Sequence, residues 1–154
     1  MLPPDTPINP AVFSRPARER LPEWSWDFSS ALDERMGLVV GELGANRCVG
    51  RCPVEGNTQP HGIWHGGASA VLVETLGSLA ASAWARQSGK AAVGVDLSVT
   101  HHRAVRTGHV TGYATALHQG RSVATYQVHL YDDSERLVGT GRLTCQLVAA
   151  RPPA

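Results

Sequence analysis

From Gly67 to Arg86 the chain runs without a proline, and Ala, Val and Leu fall on nearly every face of the helix that such a run forms. At 1.5 Å per residue that helix is about 30 Å long, and a helix that is apolar almost all round has to be covered almost all round. One carboxylate, Glu74, interrupts it. Burying an ionised carboxylate without a partner is costly enough that the group pairs or changes its protonation, so Glu74 is either a surface residue at the edge of the helix or a functional one.

The rest of the chain supplies a cover of strands. In Val93, Val95, Leu97 and Val99 the apolar residues alternate with Gly94, Asp96, Ser98 and Thr100, the period of a half-buried strand. Three more strands are expected at 106–118, 121–131 and 136–149, separated by His118-Gln-Gly120 and Asp132-Asp-Ser-Glu135, turns short enough for an antiparallel meander. Before the helix, Leu38-Val-Val and Cys48-Val49 flank Gly44-Ala-Asn46 and suit a hairpin, and a short helix over Ser29 to Met36 has Ser29 or Ser30 as N-cap and Gly37 as stop. Six of the ten prolines lie before residue 28, which predicts an extended arm docked by Trp24, Trp26 and Phe28. The expected fold class is α+β, a curved antiparallel sheet wrapped around one long apolar helix, with an arm at 1–28, a single domain at 29–149 and a tail at 150–154.

At 154 residues one domain is expected. Lys and Arg number 14 against 13 Asp and Glu, a net charge of +1, without the basic excess on which nucleic-acid or anionic-membrane binding relies. The N-terminus lacks a charged and apolar leader, and no window is expected to reach the length of a membrane span, so the reading is a soluble, cytoplasmic protein. Cys48, Cys52 and Cys145 form no CxxC and read as reduced thiols without disulfide or metal. His101 and His102, adjacent at a strand end, point to opposite faces and do not share a metal.

Glu74 and Ser78 are four residues apart, hence on one helix face. His65, nine before Glu74, would fall on the opposite side if helical; it belongs to the turn before the helix and can serve a site other than that of its own Glu74. Gly66 and Gly67 open the helix where backbone N–H groups are unpaired and the macrodipole is positive, a place for a developing oxyanion. With Gln59 and His65 to hold water or thioester, these residues make a minimal kit for acyl transfer. Singly, each has a structural reading: glycines for packing, a loop histidine, a solvated glutamate.

Taken together, Gln59, His65 six later, Gly66-Gly67, Glu74 and Ser78 form a pattern that resembles the hotdog-fold acyl-CoA thioesterases of the 4-hydroxybenzoyl-CoA and phenylacetate-degradation type. The resemblance runs from about Gly37 to Val148 and includes Ala92-Val-Gly-Val-Asp96, Gly108-His-Val and Asp132-Asp-Ser-Glu-Arg-Leu137. It implies Glu74 as nucleophile or general base, Gly66 as backbone donor to the thioester oxygen with His65 assisting, and Gln59 and Ser78 orienting substrate or water. It implies a homodimer or dimer of dimers whose sites lie between subunits, and an acyl-CoA substrate with no further cofactor. Glu rather than Asp at the acid position points to the branch acting on aromatic or medium-chain acyl groups.

Candidates for the coenzyme A phosphates are Arg103, Arg106, Arg121 with Ser122, and Arg151, of which the family favours the Arg121-Ser122 turn. Trp64, beside His65, is a candidate wall of an acyl pocket, and Trp84 reads as packing. Two other readings share the fold: a non-catalytic acyl-CoA binding or sensing module, against which the intact Glu74, His65 and Gln59 argue, and an enoyl-thioester hydratase or dehydratase, which wants a His and acid pair at the helix start.

Overall fold

The computed structural model describes residues 6–28 and 30–150. Helix α1 is a single turn, Ala17–Arg20, and α2 spans Ala31–Met36. The Ser30 hydroxyl caps α2 by accepting from the Asp33 N–H at 3.2 Å, and Gly37, at φ 69°, closes it in a left-handed conformation. Ser29, the other cap candidate, lies outside the described residues. Strands β1 (Val39–Leu43) and β2 (Arg47–Pro53) form the expected hairpin, its turn closed by Gly44 N–H to the Arg47 carbonyl at 2.8 Å. The long helix α3 is Gly66–Arg86, and β3 (Lys90–His101), β4 (His109–Gln119), β5 (Val123–Asp132) and β6 (Leu137–Ala149) follow.

The strands make one antiparallel sheet of six in the order β1-β2-β4-β5-β6-β3. The expected meander holds for β4, β5 and β6, but β3 leaves it. Residues 102–108 carry the chain across the sheet, so that β3 pairs with β6 at one edge while β4 starts beside β2. That connection is longer than a hairpin turn, and antiparallel neighbours need not be consecutive.

Helix α3 crosses the sheet, and its position is fixed by glycines in the strands beneath it. Leu76 presses between Gly50 and Gly112, where an added Cβ would come within 2.8 and 2.7 Å of its methyl groups. Val73 presses on Gly141 in the same way, and Leu143 of β6 reaches up to Gly77. Leu72, Val73, Leu76 and Ala80 are fully buried, the centre of the main core. The expectation of burial nearly all round is met on this face, whereas Val71, Glu74, Thr75, Ser78 and Leu79 form a stripe that is only half-buried. The expectation that no window reaches a membrane span also needs correction: α3 is long and apolar enough by composition, and here its apolar face is spent on the sheet.

β3 is an edge strand and largely exposed, with Val93 at 51 %, Val95 at 58 % and Leu97 at 39 %. Its four alternating apolar residues do not share one face. The pairing shifts between Gly94 and Asp96, leaving Val95 in a bulge that reverses the phase, so Gly94 and Leu97 pair with the buried Cys145 and Leu143.

The N-terminal segment is not simply extended. It turns through short 3₁₀ stretches at Pro10–Ser14 and Glu23–Ser25 besides α1. Its buried anchor is Phe13, which packs on Gly41 of β1, joins Val49 and Tyr113 in a second cluster, and carries the Arg51 guanidinium over its ring at 4.4 Å. Trp24 contacts Arg86 and Phe28, Trp26 lies under Arg18, and Phe28 itself stays 61 % exposed. Gly112→Ala drives a methyl into Leu76 and is expected to cost about 1–3 kcal/mol, read as a lower denaturation midpoint.

Candidate active site

His65 is the N-cap of α3, and its Nδ1 accepts from the Gly67 N–H at 2.8 Å. An imidazole nitrogen that accepts there leaves the ring proton on Nε2, available to donate outward. The Ala68 and Ser69 N–H groups both return to the His65 carbonyl, at 2.9 and 3.3 Å. The Gly66 N–H is thus the one donor of the first turn with no acceptor among the described residues. It sits where the helix dipole favours developing negative charge.

Glu74 is half-buried one face away, and Ser78 Oγ donates to its Oε1 at 3.3 Å. The carboxylate rests on Gly94 of β3, where any Cβ would collide with Oε1. It therefore faces the exposed edge strand rather than the helix start. Gly66 and Glu74 are eight residues apart on one helix, about 12 Å along its axis, too far for one carbonyl group to touch both.

Gln59 is half-buried in the loop before α3, and its Oε1 accepts from the His61 N–H at 2.5 Å, so within one chain it is turned onto its own loop. Trp64 is no pocket wall: it is 8 % exposed, sits in the main core, and donates from Nε1 to Ser69 Oγ at 2.7 Å. Trp84 is held by Nε1 to the Gly120 carbonyl at 3.0 Å. Arg103 and Arg106 are exposed in the crossing at the end of the sheet where α3 begins. Arg121 and Ser122 are exposed at the opposite end, where the Arg121 carbonyl accepts from Lys90 Nζ. Within one chain these two groups cannot serve one nucleotide. Arg151 lies outside the described residues.

Three residues at the site carry no motif of their own. Gly94 gives Glu74 its resting place, and its signal is a glycine inside an otherwise regular strand. His101, at the end of β3, lies against Gly66, its Nε2 within 2.8 Å of where a Cβ would stand. His102 diverges from it to Thr140 Oγ1 at 3.0 Å. Cys145, opposite Gly94, is the third: burial first, then the Glu74 charge, push its thiol up to about 11, against the bond to Ser78. Burial pushes Cys52 up to about 12 and raises Cys48 too, and all three are free thiols with no exposed surface.

Residues 61–139 match the family model described as the thioesterase superfamily. The chain is 40 % identical over 116 residues to the proofreading thioesterase EntH of Cronobacter sakazakii, covering 75 % of this chain and 84 % of that one. Among solved structures, the thioesterase HI1161 of Haemophilus influenzae superposes with a TM-score of 0.73 at 34 % identity, covering 79 % of this chain and 85 % of that one. AziG of S. sahachiroi gives 0.74 at 28 % identity, covering 79 % and 98 %.

The burial of the cysteines predicts that the native protein shows no fast-reacting thiol towards a disulfide reagent at mildly alkaline pH and that all three cysteines react on denaturation. Titration before and after adding denaturant checks this; a rapid native thiol would contradict the packing around Cys48, Cys52 and Cys145.

Proposed function

The chain belongs to the thioesterase superfamily, and on that footing we propose that it hydrolyses the thioester of an aromatic or medium-chain acyl-CoA at sites shared between two subunits. The observation that carries this reading is the separation of the two halves of the site. The free Gly66 donor and the Glu74 carboxylate lie about 12 Å apart on one helix, while Glu74 looks towards a bare sheet edge.

A second copy paired antiparallel along β3 closes that gap. Glu74 rests on Gly94 and Gly66 rests on His101, so bringing the partner's Gly66 to Glu74 sets Gly94 of one strand across from the partner's His101. The two-fold axis then falls between Leu97 and Ser98. The exposed Val93, Val95 and Leu97 are covered in such a dimer. Antiparallel pairing also brings Arg103 of one chain to the same end of the joint sheet as the partner's Arg121 and Ser122, two cations and a hydroxyl proposed for the coenzyme A phosphates.

In the reaction the partner's Gly66 N–H donates to the thioester oxygen as negative charge develops on it, supported by the dipole of the partner's α3 and by the Nε2–H of the partner's His65. Ser78 steadies the Glu74 carboxylate. Glu74 either takes a proton from water, which attacks the carbonyl carbon, or attacks that carbon itself to give an anhydride that water then opens. Both routes consume one water, break the carbon–sulfur bond, and return a proton to the departing thiolate. The partner's Gln59 orients water or substrate once its amide leaves the His61 N–H of its own loop.

Glu74→Ala is expected to lower thiol release from a panel of aryl and aliphatic acyl-CoAs by about 10²-fold or more. Unchanged turnover would refute its role. Val95→Arg places a charge on the bare edge and is expected to give a folded monomer, by sizing and circular dichroism, that has lost turnover although Glu74 is intact. A fully active monomer would refute the shared site.

A further inference from the structure

We propose that Cys145 is a positioning residue for the hydrolysis: its buried thiol donates to Ser78 Oγ and so holds the Ser78 hydroxyl proton on Glu74; this rests on the thioester-hydrolase reading of Glu74. The helix and the strand beside it bring the three groups together. Val73 of α3 presses on Gly141 of β6, and Gly77 of α3 receives the Leu143 side chain. Four helical residues advance about 6 Å and two strand residues about 7 Å, so α3 and β6 keep step, and the next inward position of β6, Cys145, falls beneath the turn of α3 that carries Ser78.

The pairing with β3 points the same way. Cys145 is the direct partner of Gly94, and opposed residues of an antiparallel pair share one face of the sheet with their Cβ positions about 4.5–5.5 Å apart. The Cβ that Gly94 lacks would run into Glu74 Oε1, so the thiol looks into the corner in which the carboxylate rests. Along the inward row of β6 its neighbours are Gly139, Gly141, Leu143 and Leu147, and within that row Cys145 alone carries a side-chain hydrogen to donate.

Ser78 has one hydroxyl proton and gives it to Glu74 Oε1 at 3.3 Å. That bond is long for an O–H···O contact, whose usual range ends near about 3.0 Å, and a helical serine has a second acceptor for its proton in the carbonyl four residues back, here that of Glu74 itself. What else touches the Ser78 oxygen therefore decides where its proton lies. The Cys145 thiol bonds Ser78, and because the serine proton goes to the carboxylate, the thiol is the donor of that bond. It has a proton to give: burial, then the Glu74 charge, push its pKa up to about 11. A donor arriving from the core side fixes the oxygen with its own proton turned out to Glu74. Cys48 and Cys52 are equally buried but have no hydroxyl partner among the described residues.

The test measures kcat and KM with benzoyl-CoA in wild type, Cys145→Ala and Cys145→Ser, and the S–H stretching band by infrared spectroscopy in the same proteins and in Ser78→Ala. Cys145→Ala is expected to lower kcat about tenfold while KM stays within about twofold, since the thiol acts on the carboxylate and not on the substrate. Cys145→Ser restores a donor and is expected to keep kcat within about threefold of wild type. A role in packing alone gives the reverse order, because alanine is tolerated in an apolar corner and a serine hydroxyl is costly there. An unchanged kcat in Cys145→Ala, or an equal loss in both variants, would overturn the proposal. The Cys145 band, identified by its loss in either Cys145 variant, is expected to move to higher frequency in Ser78→Ala as the thiol loses its acceptor. If wild type releases no thiol from any acyl-CoA, the hydrolase reading fails by itself, and the band decides the bond: a shift in Ser78→Ala upholds it, and an unmoved band overturns it.

Discussion

The contact on which the rest of the structure depends is that of Leu76 with the paired glycines Gly50 and Gly112. Strands with side chains at those positions would hold the helix further off and leave its roll undetermined. With the slot present, Leu76 seats in it, Val73 meets Gly141, Gly77 meets Leu143, and α3 has one orientation on the sheet. Glu74, two residues before Leu76, is then turned away from the slot and laid on Gly94. The placement of the carboxylate is a consequence of how an apolar helix packs, and the carboxylate adds only its hydrogen bond to Ser78.

Much of this was legible because it is local. The uninterrupted apolar run gave α3 to within a residue of its start, the Gly44–Asn46 turn gave the hairpin, and Ser30 and Gly37 bounded α2. The spacing from Gln59 to Ser78 singles out the start of α3 and Glu74 from the sequence alone. What escaped is non-local. The pairing of β3 with β6 is chosen by contacts between segments about fifty residues apart, and nothing in β3 itself announces it. The bulge at Val95 hides behind a regular Val-Gly-Val alternation, and the contact of His101 with Gly66 depends on where β3 lands. An aromatic beside a site histidine reads as a pocket wall, whereas the Trp64 indole bonds Ser69 within the core.

The start of α3 shows how one side chain settles several groups. His65 ends the loop through its N–H to the Asn57 carbonyl, caps the helix through Nδ1, and offers its carbonyl to two further donors. Every donor it satisfies is removed from competition, so the Gly66 N–H is left as the point where an anion is welcome. His101 closes over the same glycine from β3.

The two edges of the sheet are treated differently. β1 is five residues long, irregular at Gly41, and has Phe13 packed on it; β3 is twelve residues long with apolar side chains bare. Edge strands are where sheets grow, and growth that can begin at both ends of a subunit has no natural stop. A subunit that is blunted at one end and open at the other can be extended only once, after which both outer ends are blunt. For the proposed dimer the asymmetry sets a limit: pairing along β3 would consume the one long bare edge, and growth along the sheet would end at two.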